Sequence, residues 1–247
     1  MYDNLIIKYN NDNYNFYSYL TEHYKIKYTN FLDLENIHTL LISNELTFEN
    51  KNFYKEIPIF GQTDRNSVFV NNFYNFIDTD YTFLYEYIDF IKNVIKPHFP
   101  LEDKLIIQKT PNIRFHLPGC SNIGKRATDK YDDIIGLHYD GEFGHPEEEI
   151  NIVLPITDMF DTNSIYYEEY PNSNMDVYNY SCMNLKKNNF FMGYLNKCNH
   201  YNKINNTEQT RVSLDFRIIP YSKFKNSINT SVTTNVKFDI GNYYMLI

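Results

Sequence analysis

The chain predicts a mainly β fold with flanking helices: an antiparallel sandwich or barrel, with a helical first third packed outside it. Three observations carry this. After Pro100, seven short alternating apolar runs follow one another with brief connections, the pattern of antiparallel strands and not of a βαβ fold. Before them lies one amphipathic stripe of helical period. Apolar residues make up 43% of the 247, enough to bury one large core.

Taken in order, residues 1 to roughly 75 mix short apolar runs with Asn and Asp, and no element there is defined. From Asp80 to Lys96, Phe83, Leu84, Tyr87, Ile88, Ile91, Val94 and Ile95 fall on one helical stripe. Asp78 or Thr79 is the expected cap and Pro97 the expected stop. The strand candidates are KLIIQK (104–109), NIRFHL (112–117), DIIGLHY (133–139), EINIVLPI (149–156), NSIYYEE (163–169), NNFFMGY (188–194) and TRVSLDFRII (210–219). A tail over 221–247 ends in GNYYMLI and is expected to add a covering strand. The division is a single domain, 1–247: a supporting region (1–100), the β core (101–220) and a C-terminal extension (221–247).

Composition narrows the function. A formal charge of −8 argues against an extended nucleic-acid footprint, which needs a basic face. No stretch of 18 apolar residues occurs, so no membrane span is expected, and MYDNLIIKYNND lacks the apolar run of a signal peptide. Cys120, Cys182 and Cys198 are odd in number and widely spaced, which suits reduced thiols and a cytoplasmic setting. The oligomeric state cannot be read.

The stretch GLHYDGEFGHPEEEINIVLP (136–155) holds two His-x-acid pairs, His138/Asp140 and His145/Glu147. Residues two apart on a strand share a face, so either pair could present two ligands to one metal. Context separates them. His138 and Asp140 end an apolar strand, whereas Pro146 disfavours a central strand around His145. Two histidines and one carboxylate with open positions form the facial triad of non-haem Fe(II) oxygenases. Among the remaining histidines only His200 lies downstream, and Arg211 follows it eleven residues later. In TRVSLDFRII, Val212, Leu214, Phe216 and Ile218 alternate with Arg211, Ser213, Asp215 and Arg217. The plain reading of this strand is core on one side and solvated charge on the other. The functional reading makes Arg211 and Ser213 a fork for a carboxylate.

With that order of motifs on the page, the segment from about Pro111 to Pro220 resembles the Fe(II)/2-oxoglutarate-dependent dioxygenases. Within them it is most similar to the phytanoyl-CoA-hydroxylase-like group and related proteins of streptomycin-type biosynthetic clusters. The matching phrases are HYDGEFGHPEEEINIVLPIT, NSIYYEE and CNHYNKINNTEQTRVSLDFRIIP, a little under half of the chain. The resemblance implies a double-stranded β-helix (jelly-roll, cupin-like) core. It implies Fe(II) on His138, Asp140 and His200, with 2-oxoglutarate and O2 as co-substrates. Arg211 and Ser213 would hold the distal carboxylate of 2-oxoglutarate, and Asn151 with Asn163 or Ser164 matches polar positions facing the co-substrate or substrate. The activity implied is hydroxylation of a small polar molecule (a sugar, amino acid or aminocyclitol-like compound) with release of succinate and CO2. Halogenating relatives lack the carboxylate that Asp140 supplies. A protein side-chain hydroxylase and a non-catalytic binding barrel are the alternatives.

Other residues are weighed beside these. Arg114 is expected to pair with an anionic substrate or Asp140, or to form a structural ion pair. His116 reads as a satisfied core histidine. Tyr139, His145 and Glu168 are candidate substrate contacts, as is Arg126 in the 123–133 loop. Glu147–Glu149 reads as a solvated run, and Cys198 as a buried thiol.

Overall fold

A computed structural model describes residues 4–41, 67–121, 130, 133–232 and 235–247. The expected Arg126 contact and most of its loop lie outside these residues. All seven expected runs form strands: β2 (Leu105–Gln108), β3 (Asn112–His116), β4 (Ile135–His138), β5 (Ile150–Pro155), β6 (Ile165–Tyr167), β8 (Asn189–Gly193) and β10 (Arg211–Pro220). Four more join them: β1 (Leu5–Lys8), β7 (Ser181–Cys182), β9 (His200–Asn202) and the tail strand β11 (Tyr244–Leu246).

The strands form two sheets, antiparallel at every pairing. The larger runs β1-β8-β5-β10-β2-β11, and the smaller β4-β9-β6-β7. Strand β10 organises the larger sheet. One edge pairs with β5 along Ser213–Ile218, and the other takes β3 over Arg211–Asp215 and then β2 over Ile218–Pro220.

The alternation in β10 sorts its side chains between two buried environments. Val212, Leu214, Phe216 and Ile218 enter the main core beside Ile113, Phe115, Ile152 and Leu154. Three helices close that core from outside: α1 (Phe16–Lys27), α2 (Val68–Thr79) and α3 (Thr82–Phe90). Tyr87 of α3 meets Phe216 edge-on, with ring centroids 4.9 Å apart. Each such side chain contributes on the order of 1.5–3 kcal/mol by leaving water. The opposite row is not solvated, as the plain reading expected. Arg211, Ser213 and Arg217 are buried, and Arg217 pairs with Asp140 just after β4.

The helices follow local chemistry. The side chain of Asn15 accepts from Ser18 N at the start of α1, and that of Ser67 accepts from Val70 N at the start of α2. The 80–96 stripe buries Phe83, Tyr87, Ile91 and Ile95 as expected. Its cap differs from expectation: Asp80 Oδ1 accepts from Thr82 N, while Thr79 donates back to Asn75 O and Phe76 O at the end of α2. Nor does Pro97 stop the helix at once. The chain passes through a π turn, Ile91–Ile95, into a 3-10 turn, Lys96–His98, that contains it.

The tail covers one end of the sheet. Tyr244 packs with Ile106, Ile219 and Phe238, and its hydroxyl donates to Glu149. Glu149 is therefore fully buried and not part of a solvated run, since the tail and His145 enclose it. No helix among the described residues is long and apolar enough to cross a membrane.

Candidate metal centre

The centre begins with a glycine. Gly136 adopts φ +70° inside β4, a conformation that costs other residues a Cβ clash, and the register of β4 against β9 shifts between Ile135 and His138. This bulge turns the Gly136 carbonyl towards His138 Nδ1, which donates to it at 2.5 Å. Strand β9 places His200 directly opposite His138. His200 Nδ1 in turn donates to Cys198 O at 3.1 Å. With Nδ1 engaged on the backbone, each ring turns its Nε2 towards the cluster, the atom a metal would take.

After β4 the chain stays extended through Tyr139 and tightens into a 3-10 turn, Asp140–Phe143, closed by Gly144 at φ +82°. The turn is pinned by Asp140 N to Leu195 O and Gly141 N to Asn196 O, both 3.0 Å. A Cβ on Gly141 would lie 2.8 Å from that Asn196 oxygen. Asp140 therefore returns to the face of His138. Its Oδ1 lies 3.5 Å from His138 Nε2 and 3.7 Å from His200 Nε2. Its Oδ2 accepts from Asn151 Nδ2 at 2.7 Å and Arg217 Nη2 at 2.6 Å. One ligand atom from each of the three buried residues lies within 4.8 Å of the others.

Burial alone would raise the Asp140 carboxyl; Arg217 and the histidines outweigh it and hold it well below the usual carboxylate range. Burial, helped by His138, pushes the His200 ring down to about 4, so it is neutral. Two imidazoles and one carboxylate oxygen are a donor set that fits Fe(II).

The buried row of β10 runs away from this cluster. Arg217 Nη1 lies 3.1 Å from Asp215 Oδ1, and Asp215 Oδ2 lies 3.5 Å from Arg114 Nη2. Arg114 and Asp215 side chains are 16% and 17% exposed, more open than Arg217 at 6%. Arg211 and Ser213 sit further along the same face, opposite His116 and Arg114 of β3. At about 3.3 Å per residue, Arg211 lies roughly 20 Å of strand from Arg217. His116 Nδ1 and Nε2 face Asn163 O and Cys120 O, each at 3.0 Å. Burial and then Arg211 push this ring down to about 3, so it stays neutral and donates one of the two bonds.

The structure places the other candidates as follows. Arg114 forms the ion-pair alternative, with Asp215 as its partner. Asn151, expected to face 2-oxoglutarate, has its amide between Asp140 and the Asn196 N–H (3.0 Å), where it braces the carboxylate. Ser164 is buried and donates to Met183 O at 2.5 Å. The side-chain oxygen of Asn163 accepts from Phe160 N. Glu168, a candidate substrate contact, is buried, and its carboxylate accepts from Ser173 N and Oγ and from Asn199 N and Nδ2, so that it ties two loops together. Tyr139 is exposed, since strand alternation turns it away from its neighbours. His145 donates to Glu149 Oε2 at 2.8 Å under Phe238 and is not part of the cluster. Arg217 and Asn196 were not singled out from the sequence. The parity of Arg217 with Arg211 was the signal for the first, and only the fold reveals the second.

Fold and site together define a β protein with a buried two-histidine, one-carboxylate metal cluster. No family model matches the chain. It is similar to Streptomycin biosynthesis protein StrG of Streptomyces griseus, 26% identical over 142 residues, 58% of this chain and 60% of that protein. That match bears out the resemblance to the streptomycin-cluster proteins. Among solved structures, a non-heme monooxygenase in its ThoJ-Ni complex aligns with a TM-score of 0.37 and 15% identity, over 47% of this chain and 45% of that one. HygX from Streptomyces hygroscopicus with nickel and 2-oxoglutarate bound aligns with a TM-score of 0.31 and 10% identity, over 71% and 88%.

Proposed function

We propose that the chain is an Fe(II)- and 2-oxoglutarate-dependent oxygenase that hydroxylates a small polar molecule. The observation that carries this is the convergence of His138, Asp140 and His200, each with its remote polar atom already satisfied. The strand order fits the double-stranded β-helix of the resembled family: β3-β10-β5-β8 forms one wall and β4-β9-β6-β7 the other. The overall reaction balances as substrate, 2-oxoglutarate and O2 giving hydroxylated substrate, succinate and CO2.

Fe(II), when bound, supplies the activation of dioxygen and the oxidising power. The protein's own residues do the rest. His138, His200 and Asp140 Oδ1 would hold the metal. Arg211, whose planar guanidinium matches a carboxylate, holds the distal end of 2-oxoglutarate with Ser213. Burial of both strengthens that contact by excluding water. Arg114 and Asp215, more open than Arg217, are the charged pair we assign to the substrate. The name of the StrG relative, a streptomycin biosynthesis protein, favours a sugar or aminocyclitol-like substrate.

A screen of small polar compounds with Fe(II), 2-oxoglutarate and ascorbate tests this. Mass spectrometry should find a product heavier by one oxygen atom, formed in step with succinate. Folded, metal-loaded protein that never forms succinate would end the proposal.

A further inference from the structure

We infer that Arg217 is a positioning residue of the metal centre, which holds one oxygen of Asp140 so that only the other is offered to the metal. The inference rests on the oxygenase reading above. A buried guanidinium beside a divalent cation is electrostatically unfavourable, so its place there needs a compensating role. The geometry supplies one. Arg217 Nη2 and Asn151 Nδ2 approach the same oxygen, Asp140 Oδ2, at 2.6 and 2.7 Å. Oδ1 is the oxygen facing both imidazoles. The guanidinium is itself held from the far side by Asp215 Oδ1, 3.1 Å from Nη1, and Arg217 and Asn151 are cross-strand neighbours on β10 and β5. Two adjacent strands thus fix the rotation of one carboxylate. With Oδ2 taken, Asp140 would offer the metal a single oxygen and so leave room for the co-substrate.

Arg217→Lys keeps the charge, but a compact ammonium cannot bridge Asp140 and Asp215 as the planar fork does. Arg217→Met with Asp215→Asn removes both charges together and guards against a variant that fails only through an unpaired buried ion. The protein is loaded with Mn(II) or Co(II) without oxygen, and the affinities for metal and for 2-oxoglutarate are measured separately. Both variants should lose more in 2-oxoglutarate affinity than in metal affinity, and show an altered Co(II) visible spectrum before 2-oxoglutarate is added. Unchanged spectra and wild-type 2-oxoglutarate affinity would overturn the inference. An equal loss of metal and 2-oxoglutarate would overturn it too, since that is the mark of a residue that only supports the fold. Wild-type protein that takes metal but not 2-oxoglutarate would instead defeat the oxygenase reading, and the inference with it.

Discussion

His138 and His200 face one another with ring centroids 4.2 Å apart, each donating from Nδ1 to a carbonyl two residues earlier in the chain. Two strands therefore solve the same problem in the same way: the backbone sets the tautomer and the Nε2 atoms converge.

The first consequence concerns Gly136. Alanine there would meet the left-handed backbone at a cost of about 1–2 kcal/mol. The relaxed bulge would also turn the carbonyl away from His138. Gly136→Ala should weaken metal binding by more than its loss of stability explains, as calorimetric titration beside chemical denaturation would reveal. Wild-type metal affinity in this variant would show that the carbonyl does not orient the ring.

The two His-x-acid pairs should behave differently. His138→Ala should abolish metal binding, whereas His145→Ala should leave it largely intact, because His145 is bonded to Glu149 under the C-terminal extension. Equilibrium dialysis with Mn(II) distinguishes them. Equal losses would mean that His145 belongs to the metal site.

Tyr244 and Glu149 make a further test, remote from the metal. Tyr244→Phe removes the donor to a fully buried carboxylate. Leaving it short of a partner should cost about 1–3 kcal/mol. Urea denaturation would show that loss, with metal affinity little changed. A variant as stable as wild type would mean that the tail does not seal this edge.

His116 links stability to pH. Its folded value, about 3, lies below the ordinary value of about 6.5 in an unfolded chain. Stability from the neutral ring is then complete above about pH 6.5 and drains as pH falls towards 3, because the unfolded chain binds the proton first. Each pH unit in that window costs about 1.4 kcal/mol. His116→Gln should flatten this acid limb in urea titrations at stepped pH. An identical acid slope would mean the ring is protonated in the fold.

Much of this was legible beforehand, and the limits have physical causes. Alternation in TRVSLDFRII revealed which residues of β10 enter the main core. It could not reveal that the other row is buried too, because a strand buried on both faces looks like a half-solvated one when its second face carries charged and polar side chains. The helix α2 was hidden by its asparagines, since VFVNNFYNFIDT lacks a clean polar face. Strand β9 was hidden by its brevity and by HYN, where polar residues stand in place of apolar ones. Glu168 shows a related limit: in sequence, a carboxylate that ties loops together looks the same as one awaiting a substrate.

The most direct test of the metal centre is an anaerobic titration of the full chain with Fe(II) and then 2-oxoglutarate, followed in the visible region. A weak charge-transfer band should appear only when both are present, saturate at equimolar iron, and be absent from His138→Ala. Folded, iron-loaded wild-type protein that develops no band with excess 2-oxoglutarate would contradict the assignment of His138, Asp140 and His200 as the centre of a 2-oxoglutarate-dependent oxygenase.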